Sequence, residues 1–269
     1  MESGNTFNTD WRKVATAIYK KPSDAKIFGS AELDVTDLEA YIFKKRKEGI
    51  KVTMTHLFAM IISRGLAEEV PELNCFIRRG NIVKRKTVDA MVSILLPDGS
   101  LSSVRLENAD QMNLEECASS LANAIKDTRS GDENQTMQMK KIIGRIPWPF
   151  RTWLFNLIKF VTIKWGVPVP AAGLSDNNFG SFVLTNIGSV GLDTGYPAMF
   201  PISNVAFVFV LGKVEKKPVV INNEIVIRKM MIISSAMDHR IADAMHGGKM
   251  FRYIKKFTKQ PELLEKTPD

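Results

Sequence analysis

The chain has 269 residues, of which 45% are apolar and 25% are charged, and its net charge is +8. These proportions are those of an ordinary globular protein with a sizeable core, and they exclude a disordered or fibrous chain. The positive charge favours an anionic partner, which leaves nucleic acid, a phosphorylated cofactor and an anionic membrane surface open.

The N-terminal residues lack the apolar core of a signal peptide, and no apolar run reaches the roughly 20 uncharged residues of a membrane span. The two cysteines, Cys75 and Cys117, have neither the spacing of a metal site nor the density of a disulfide scaffold. The sequence therefore predicts a soluble protein of the reducing cytoplasm.

In the first part of the chain, residues 10–19 favour a short helix and residues 26–33 alternate as a strand does. Thr36, with Glu39 three positions later, predicts a capping box at the start of the next helix. Residues 54–68 are apolar on nearly every side, which predicts a buried helix that ends near Pro71.

Antiparallel strands follow, and they are predicted at residues 81–83, 90–96 and 102–105, with a turn at 97–99. Asn113 and Glu116 predict the start of a helix that reaches about residue 126. Residues 129–138 are polar and contain glycine, which is typical of an exposed loop.

The second half contains strand patterns at residues 181–185, 204–214 and 224–237, and a last helix is predicted at 244–257. The final two strands are expected to join through Asn222 and Asn223. Because strands and helices do not alternate regularly, we predict a single α+β domain over residues 1–269. It would be a two-layer sandwich with a mixed β-sheet flanked by helices.

The strongest chemical candidate is His239, which lies between a long strand and a helix and has Asp243 four positions later. A histidine and an aspartate at this spacing arise by chance in roughly one such chain in six. From these residues alone, a hydrogen-bonded histidine at a strand end is as good an interpretation as a catalytic one. His56 and His246 have no other ligand at metal-binding spacing, so no metal site is predicted.

Longer segments resemble a known family. The run DHRIAD at residues 238–243 resembles the D-H-R-x-x-D-G signature of the 2-oxo acid dehydrogenase acyltransferases, whose catalytic domain shares the chloramphenicol acetyltransferase fold. Its other landmarks follow in order: ELDVTDLEAYIFKKRK, KVTMTHLFAMIISRGLAEEVPELN, LPDGSLSSVRLENADQMNLEECASSLANAIKDTRSG, SFVLTNIGSVG and VEKKPVVINNEIVIRKMMIISSAMDHR. The last of these segments resembles the strand pair that leads into the family's histidine. The resemblance covers nearly all of the chain outside residues 133–175.

This resemblance implies acyl transfer between thioesters, with coenzyme A as one substrate, in a homotrimer whose active sites lie between subunits. It implies that His239 deprotonates the attacking thiol or hydroxyl, because a thiol with a pKa of about 8.5 is mostly protonated at neutral pH. It also implies that Thr185 stabilises the tetrahedral oxyanion, which is worth about 3 kcal/mol. The alternative that Thr185 is an ordinary strand residue without a catalytic role stays open. No residue is assigned to the binding of coenzyme A.

The same resemblance assigns supporting roles. Asp243 resembles a structural carboxylate of the family, and Arg12 is its expected partner because a guanidinium can hold a carboxylate bidentately. A solvated surface role stays open for Arg12. Arg240 and Asn186, which lie inside the matching motifs, are expected to support the site.

The chain departs from the family pattern at three points. The glycine after the aspartate is Ala244, no lipoyl attachment site is found, and an insertion is predicted at about residues 136–173. Residues 150–165 of the insertion predict a largely apolar helix. Packing on a neighbouring subunit, contact with an anionic membrane and a pocket for a lipidic acyl group all remain open.

A rival interpretation is a trimeric scaffold that has lost catalysis and docks to a membrane or a protein partner through residues 140–169. The basic runs at residues 44–47 and 78–86 lack the interleaved aromatic residues of a nucleic-acid module, so no nucleic acid is predicted as a partner.

Overall fold

The computed structural model describes residues 25–96, 101–129, 147, 150–169, 177–200 and 203–265. Their α-helices are α1 (Thr36–Lys47), α2 (Met54–Glu68), α3 (Leu114–Arg129), α4 (Phe150–Lys159) and α5 (Ala244–Lys259). Their strands are β1 (Lys26–Asp34), β2 (Cys75–Arg78), β3 (Asn81–Lys84), β4 (Ala90–Leu95), β5 (Leu101–Leu106), β6 (Phe182–Asn186), β7 (Phe207–Leu211), β8 (Glu215–Ile221) and β9 (Glu224–Asp238).

The main sheet has seven strands in the order β1-β9-β7-β6-β4-β5, with β8 paired to the first part of β9. Strand β6 lies parallel to both β4 and β7, whereas the other neighbouring strands are antiparallel. Strands β2 and β3 form a separate hairpin. The predicted mixed sheet is therefore confirmed.

The helices α1, α2, α3 and α5 pack together on one face of this sheet. Helix α2 is buried along most of its length, as its apolar sequence predicts. Gly65 on α2 allows α5 to approach closely, since a Cβ there would lie 2.8 Å from Met250 Sδ. The apolar core is thus enclosed between one helical layer and the sheet.

Helix starts were predicted with mixed success. At α3, Asn113 N donates to Glu116 Oε2 at 2.9 Å and Glu116 N donates to Asn113 Oδ1 at 2.9 Å, which confirms that capping box. The box predicted for α1 is wrong. Thr36 donates through both its backbone N and its hydroxyl to Asp34 Oδ1, at 3.1 Å and 2.6 Å, and Glu39 instead pairs with Lys229 on β9.

Two strands were missed by the sequence patterns. Strand β2 is only four residues long, and β8 lies inside what was predicted as the connection between β7 and β9. Asn222 and Asn223 turn β8 into β9, with φ of 51° and 64°. The helix predicted at residues 10–19, the turn at 97–99 and most of the loop at 129–138 lie outside the described residues.

His56 on α2 is a buried core histidine, with a relative exposure of 7% and its Nδ1 2.7 Å from Thr53 Oγ1. Desolvation, with a smaller contribution from Arg46, lowers its pKa to about 4. Between pH 6.5 and pH 4 the unfolded chain therefore binds a proton that the folded chain does not. The free energy of unfolding must then decrease as the pH falls through this window.

We expect the wild type to lose about 3 kcal/mol more stability than His56→Gln between pH 7 and pH 4, from a pKa difference of about 2.5 units. Urea unfolding at the two pH values measures this difference. Equal losses in wild type and His56→Gln would contradict the prediction.

Candidate active site

The turn after β9 presents His239 at one end of the sheet. The backbone N of His239 donates to Ala25 O at 2.7 Å, which extends the β1–β9 pairing by one residue. Ile241 N and Ala242 N donate to Asp238 O at 2.9 Å and 2.8 Å and close the turn. The His239 side chain is 52% exposed, so its backbone is fixed while its ring is accessible.

The hydrogen bonds of the ring define which nitrogen carries the proton. His239 Nδ1 lies 2.9 Å from Ala242 O. A backbone carbonyl can only accept, so Nδ1 of the neutral ring must donate, and the lone pair is then on Nε2. Asp243 Oδ1 is 3.5 Å from the same Nδ1, but this carboxylate is 68% exposed and contributes less. Nε2 is therefore available as a general base.

Arg240 holds the turn through Asp238. Its Nε and NH2 groups donate to the two Asp238 carboxylate oxygens at 2.9 Å and 2.5 Å, and its backbone N donates to Oδ1 at 3.0 Å. This contact raises the pKa of Arg240. Because Asp238 is only 7% exposed, the paired guanidinium compensates a buried charge directly beside His239.

Asp243 lies at the start of α5, together with a histidine whose role was not predicted. Asp243 N donates to His246 Nδ1 at 3.0 Å, and His246 Nε2 lies 3.6 Å from Glu72 Oε1. His246 has a side-chain exposure of 14%, so it is not the solvated surface residue that its helical position suggests. Arg12, the expected partner of Asp243, lies outside the described residues.

Thr185 and Asn186 lie at the end of β6. Phe182 and Leu184 point into the helical layer and are fully buried, and Asn186 Nδ2 on the same face donates to Thr55 Oγ1 on α2 at 3.2 Å. Since successive side chains of a strand point to opposite faces, Thr185 projects from the outer face. Asn186 thus fixes the strand end from which Thr185 projects.

Within one chain, Thr185 and His239 lie at opposite ends of the sheet. Thr185 pairs with Val210 on β7, and Val210 pairs with Ser234 on β9. His239 is five positions beyond Ser234, which places it about 17 Å further along the strand direction and two strands away. The separation is roughly 20 Å, so a single subunit does not bring these two side chains together.

The two cysteines are unsuited to a nucleophilic role. Both are unpaired and buried. Burial raises the pKa of the Cys75 thiol to about 11 and that of Cys117 to about 12. Neither forms a significant amount of thiolate at neutral pH, which removes them as covalent nucleophiles.

A groove adjoins the His239 turn. It has a volume of about 460 Å³ and lies between the β2–β3 hairpin and a single π-helical turn, Phe160–Lys164, that prolongs α4. Arg79 on the hairpin anchors that turn, since its N donates to Lys164 O at 2.9 Å and its Nε donates to Trp165 O at 3.1 Å. The groove is lined by Ile77, Arg79, Gly80, Phe160, Ile163, Lys164, Trp165, Asn204 and Arg240.

Asn204 is a structural residue of this region that the sequence did not reveal. It adopts a φ of 50°, accepts a hydrogen bond from Ile77 N at 3.2 Å and donates to Ile77 O at 3.1 Å. Its partner, Ile77, is 127 positions away along the chain, so the sequence around Asn204 could not indicate this contact. The one local indication was that asparagine tolerates a positive φ better than most residues.

Neither a metal site nor a membrane span is found where the structure describes the chain. No cluster of three or more His, Cys, Asp or Glu side chains is arranged to hold a metal ion there. None of the helices in the same residues is long and apolar enough to cross a bilayer.

The fold is that of the chloramphenicol acetyltransferase class. The chain is similar to a solved chloramphenicol acetyltransferase, with 14% identity, a TM-score of 0.50 and coverage of 87% of this chain and 89% of the other. Similarity is greater to a probable dihydrolipoamide acetyltransferase of Listeria monocytogenes, with 20% identity, a TM-score of 0.64 and coverage of 94% and 93%. The predicted fold class is confirmed.

A third solved structure is a dihydrolipoamide acetyltransferase of Azotobacter vinelandii, with 18% identity, a TM-score of 0.63 and coverage of 90% and 84%. Its study concerns the role of a serine, a histidine and, four positions after the histidine, an asparagine in the catalytic mechanism. In sequence, the acetyltransferase component of the Acholeplasma laidlawii pyruvate dehydrogenase complex is 26% identical over 220 residues, which are 81% of this chain and 32% of that protein.

The family follows from a sequence match that spans most of the chain. The model of the 2-oxoacid dehydrogenase acyltransferase catalytic domain matches residues 12–141 and 171–265, and the segment between them is unmatched. The chain therefore belongs to this family of acyltransferase catalytic domains. Four curated relatives align with most of this chain. The aligned segment makes up between 32% and 44% of each relative's own length.

Proposed function

We propose that this protein transfers an acyl group between coenzyme A and a second thiol or hydroxyl acceptor, with His239 as the general base. One observation carries the proposal. The carbonyl of Ala242 fixes the Nδ1–H tautomer of His239 and leaves the basic Nε2 on an accessible ring. Deprotonation by Nε2 creates the nucleophile, which attacks the carbonyl carbon of the acyl thioester, and the Thr185 hydroxyl donates to the oxyanion of the tetrahedral intermediate. Collapse of this intermediate breaks the carbon–sulfur bond and expels the coenzyme A thiolate, which takes up the proton held by His239.

The active site is completed between subunits of a homotrimer. Two observations support this proposal: the roughly 20 Å that separates Thr185 from His239 in one chain, and large apolar side chains exposed on the β8–β9 hairpin. Val220, Ile225 and Ile227 are 70%, 78% and 73% exposed there. An apolar strand pair exposed to this degree favours burial against another subunit.

Relatives suggest the substrates. Their names include acetyltransferases and succinyltransferases that act on dihydrolipoyllysine residues, so a dihydrolipoyl thiol is the first acceptor to consider. The Azotobacter protein, with its asparagine four positions after the catalytic histidine, supports an orienting role for Asp243. A cytoplasmic location is consistent with the unpaired Cys75 and Cys117.

A panel of acyl-coenzyme A esters, with dihydrolipoamide as the acceptor, tests this function. Acylated dihydrolipoamide is quantified by mass spectrometry, and we expect enzyme-dependent product from at least one ester. Coenzyme A should also raise the melting temperature, because a ligand at 100 times its Kd stabilises the folded state by about 2.7 kcal/mol. The absence of both product and thermal shift would refute the acyltransferase proposal in favour of a scaffold.

The scaffold alternative is favoured by one surface, which we call the outer face of α4; it is defined by Phe150, Trp153 and Leu157 on α4 and by Phe160 at the start of the π-helical turn. These side chains are 65%, 66%, 42% and 45% exposed and recur at helical spacing. Since the chain carries a net charge of +8 and Trp is favoured at membrane interfaces, the matching partner is an anionic bilayer.

We expect Trp153→Asp to reduce the amount of protein that sediments with anionic phosphatidylglycerol vesicles by about tenfold. The reason is that an aromatic side chain that would insert into the bilayer is replaced by a negative charge, which the anionic surface repels. Phe43→Asp is the matched control, since Phe43 is an aromatic residue 62% exposed on α1. If both variants bind vesicles as the wild type does, the outer face of α4 is not a membrane anchor.

A further inference from the structure

The groove beside the His239 turn is built partly from a segment that the family model leaves unmatched. Phe160, Ile163, Lys164 and Trp165 form one of its walls, and they lie in the segment that the family model leaves unmatched. The opposite wall is the β2–β3 hairpin, and Arg240, the residue after His239, closes one end. One wall of the groove therefore lies outside the matched part of the family, and the groove adjoins the His239 turn.

Charge in the groove is positive. Its lining contains three cations, Arg79, Lys164 and Arg240, and no carboxylate. Arg240 is neutralised by Asp238, whereas Arg79 is held by backbone carbonyl oxygen. Lys164 Nζ lies 6.0 Å from the centre of the Phe160 ring and has no carboxylate partner among the described residues. Two cations are thus available to an anionic group.

The remaining lining is apolar. Ile77 and Ile163 contribute aliphatic surface, and the rings of Phe160 and Trp165 lie against each other with centroids 5.8 Å apart. Both rings are about half exposed, at 45% and 55%, so they offer surface that a ligand can bury. A volume of about 460 Å³ is within the usual range of small-molecule sites.

We propose that this groove binds an amphipathic anion, an apolar chain that carries a phosphate or carboxylate group, with the chain on the aromatic wall and the anion at Lys164 and Arg79. A neutral lipid leaves the two cations without an anionic partner, and a small anion leaves the aromatic wall exposed. The identity of this ligand as an acyl substrate rests on the proposed function; the binding itself does not.

Decyl phosphate, kept below its micelle-forming concentration, is the probe, and isothermal titration calorimetry measures its Kd. We expect decyl phosphate to bind at least tenfold more tightly than ethyl phosphate or decanol, because each of these lacks one half of the ligand. Lys164→Gln should weaken binding about tenfold through loss of a charge-assisted contact. Lys159→Gln is the matched control, since Lys159 is a lysine of the same segment that does not line the groove.

Two further arms identify the source of the ligand. If Lys164→Gln also loses binding to phosphatidylglycerol vesicles, the groove takes a membrane lipid; if vesicle binding is unchanged, it takes a soluble acyl compound, and both results support an amphipathic anion. His239→Ala should bind decyl phosphate normally, so an inactive enzyme that still binds the probe separates this inference from the proposed catalysis. Equal affinity of wild type and Lys164→Gln overturns it.

Discussion

Replacing His239 with alanine is expected to lower the rate of acyl transfer by about 10²- to 10⁴-fold, the usual contribution of a positioned general base. Attack on the acyl carbonyl would then depend on the acceptor thiol that is already deprotonated, and a pKa of about 8.5 leaves only a few per cent thiolate at neutral pH. The fold should be intact, since the ring is half exposed and its contacts are made within its own turn. Rates are measured with the best ester of the acyl-coenzyme A panel.

Two companion variants make this result specific. Asp243→Asn should cost less than about tenfold, because the carbonyl of Ala242 already holds His239 Nδ1 and Asp243 is largely exposed. His246→Gln removes a neighbouring imidazole and should leave the rate near that of the wild type. If His239→Ala stays within tenfold of the wild type while its circular dichroism is unchanged, His239 is not the base.

Mixed trimers should recover the activity that two inactive variants lack separately. Thr185→Val is expected to slow the reaction by about a hundredfold through loss of an oxyanion contact worth about 3 kcal/mol. In a ring of three subunits that contains both variants, one interface joins the His239 of a Thr185→Val chain to the Thr185 of a His239→Ala chain. About one third of wild-type activity should therefore return.

Co-expression with two different affinity tags, followed by purification on both, isolates these mixed assemblies. The matched control pairs His239→Ala with the double variant His239→Ala/Thr185→Val, in which no interface has both side chains. If doubly tagged particles are no more active than their parents, the active site is not shared in the manner proposed. Recovery in the control would show that the assay reports a contaminant.

Local patterns predicted those elements whose partners are close in sequence or whose pattern is long. The buried helix α2 and the capping box of α3 are examples, because they depend on periodicity and on residues three positions apart. The α1 capping box was predicted wrongly because Glu39 is captured by Lys229, which is distant in sequence. The local strand pattern did not reveal β8, because its lysines and Pro218 are typical of a connection, although an exposed edge strand tolerates them. Only the family resemblance implied a strand pair there.

In the candidate active site too, the sequence predicted what local residues define and did not predict what depends on tertiary structure. His239 was identified through its motif, but its tautomer depends on a turn geometry that no residue pattern specifies. The distance between Thr185 and His239 depends on strand register across β6, β7 and β9, which is a tertiary property. The groove needs the β2–β3 hairpin to meet a segment about eighty residues later in the chain, so neither segment reveals it alone.

The π-helical turn at Phe160–Lys164 sets the direction in which the side chains after α4, including Lys164 and Trp165, project. Trp165 N donates to Phe160 O at 3.1 Å, five positions back rather than four, so the helix contains one residue more than an α-helical turn would hold. Each residue of an α-helix advances the direction of its side chain by about 100°. Deletion of a single residue from this turn would therefore rotate Lys164 and Trp165 by about that angle from their present positions in the groove lining. A deletion or insertion of one residue in this turn would therefore be enough to remove or create this wall of the groove.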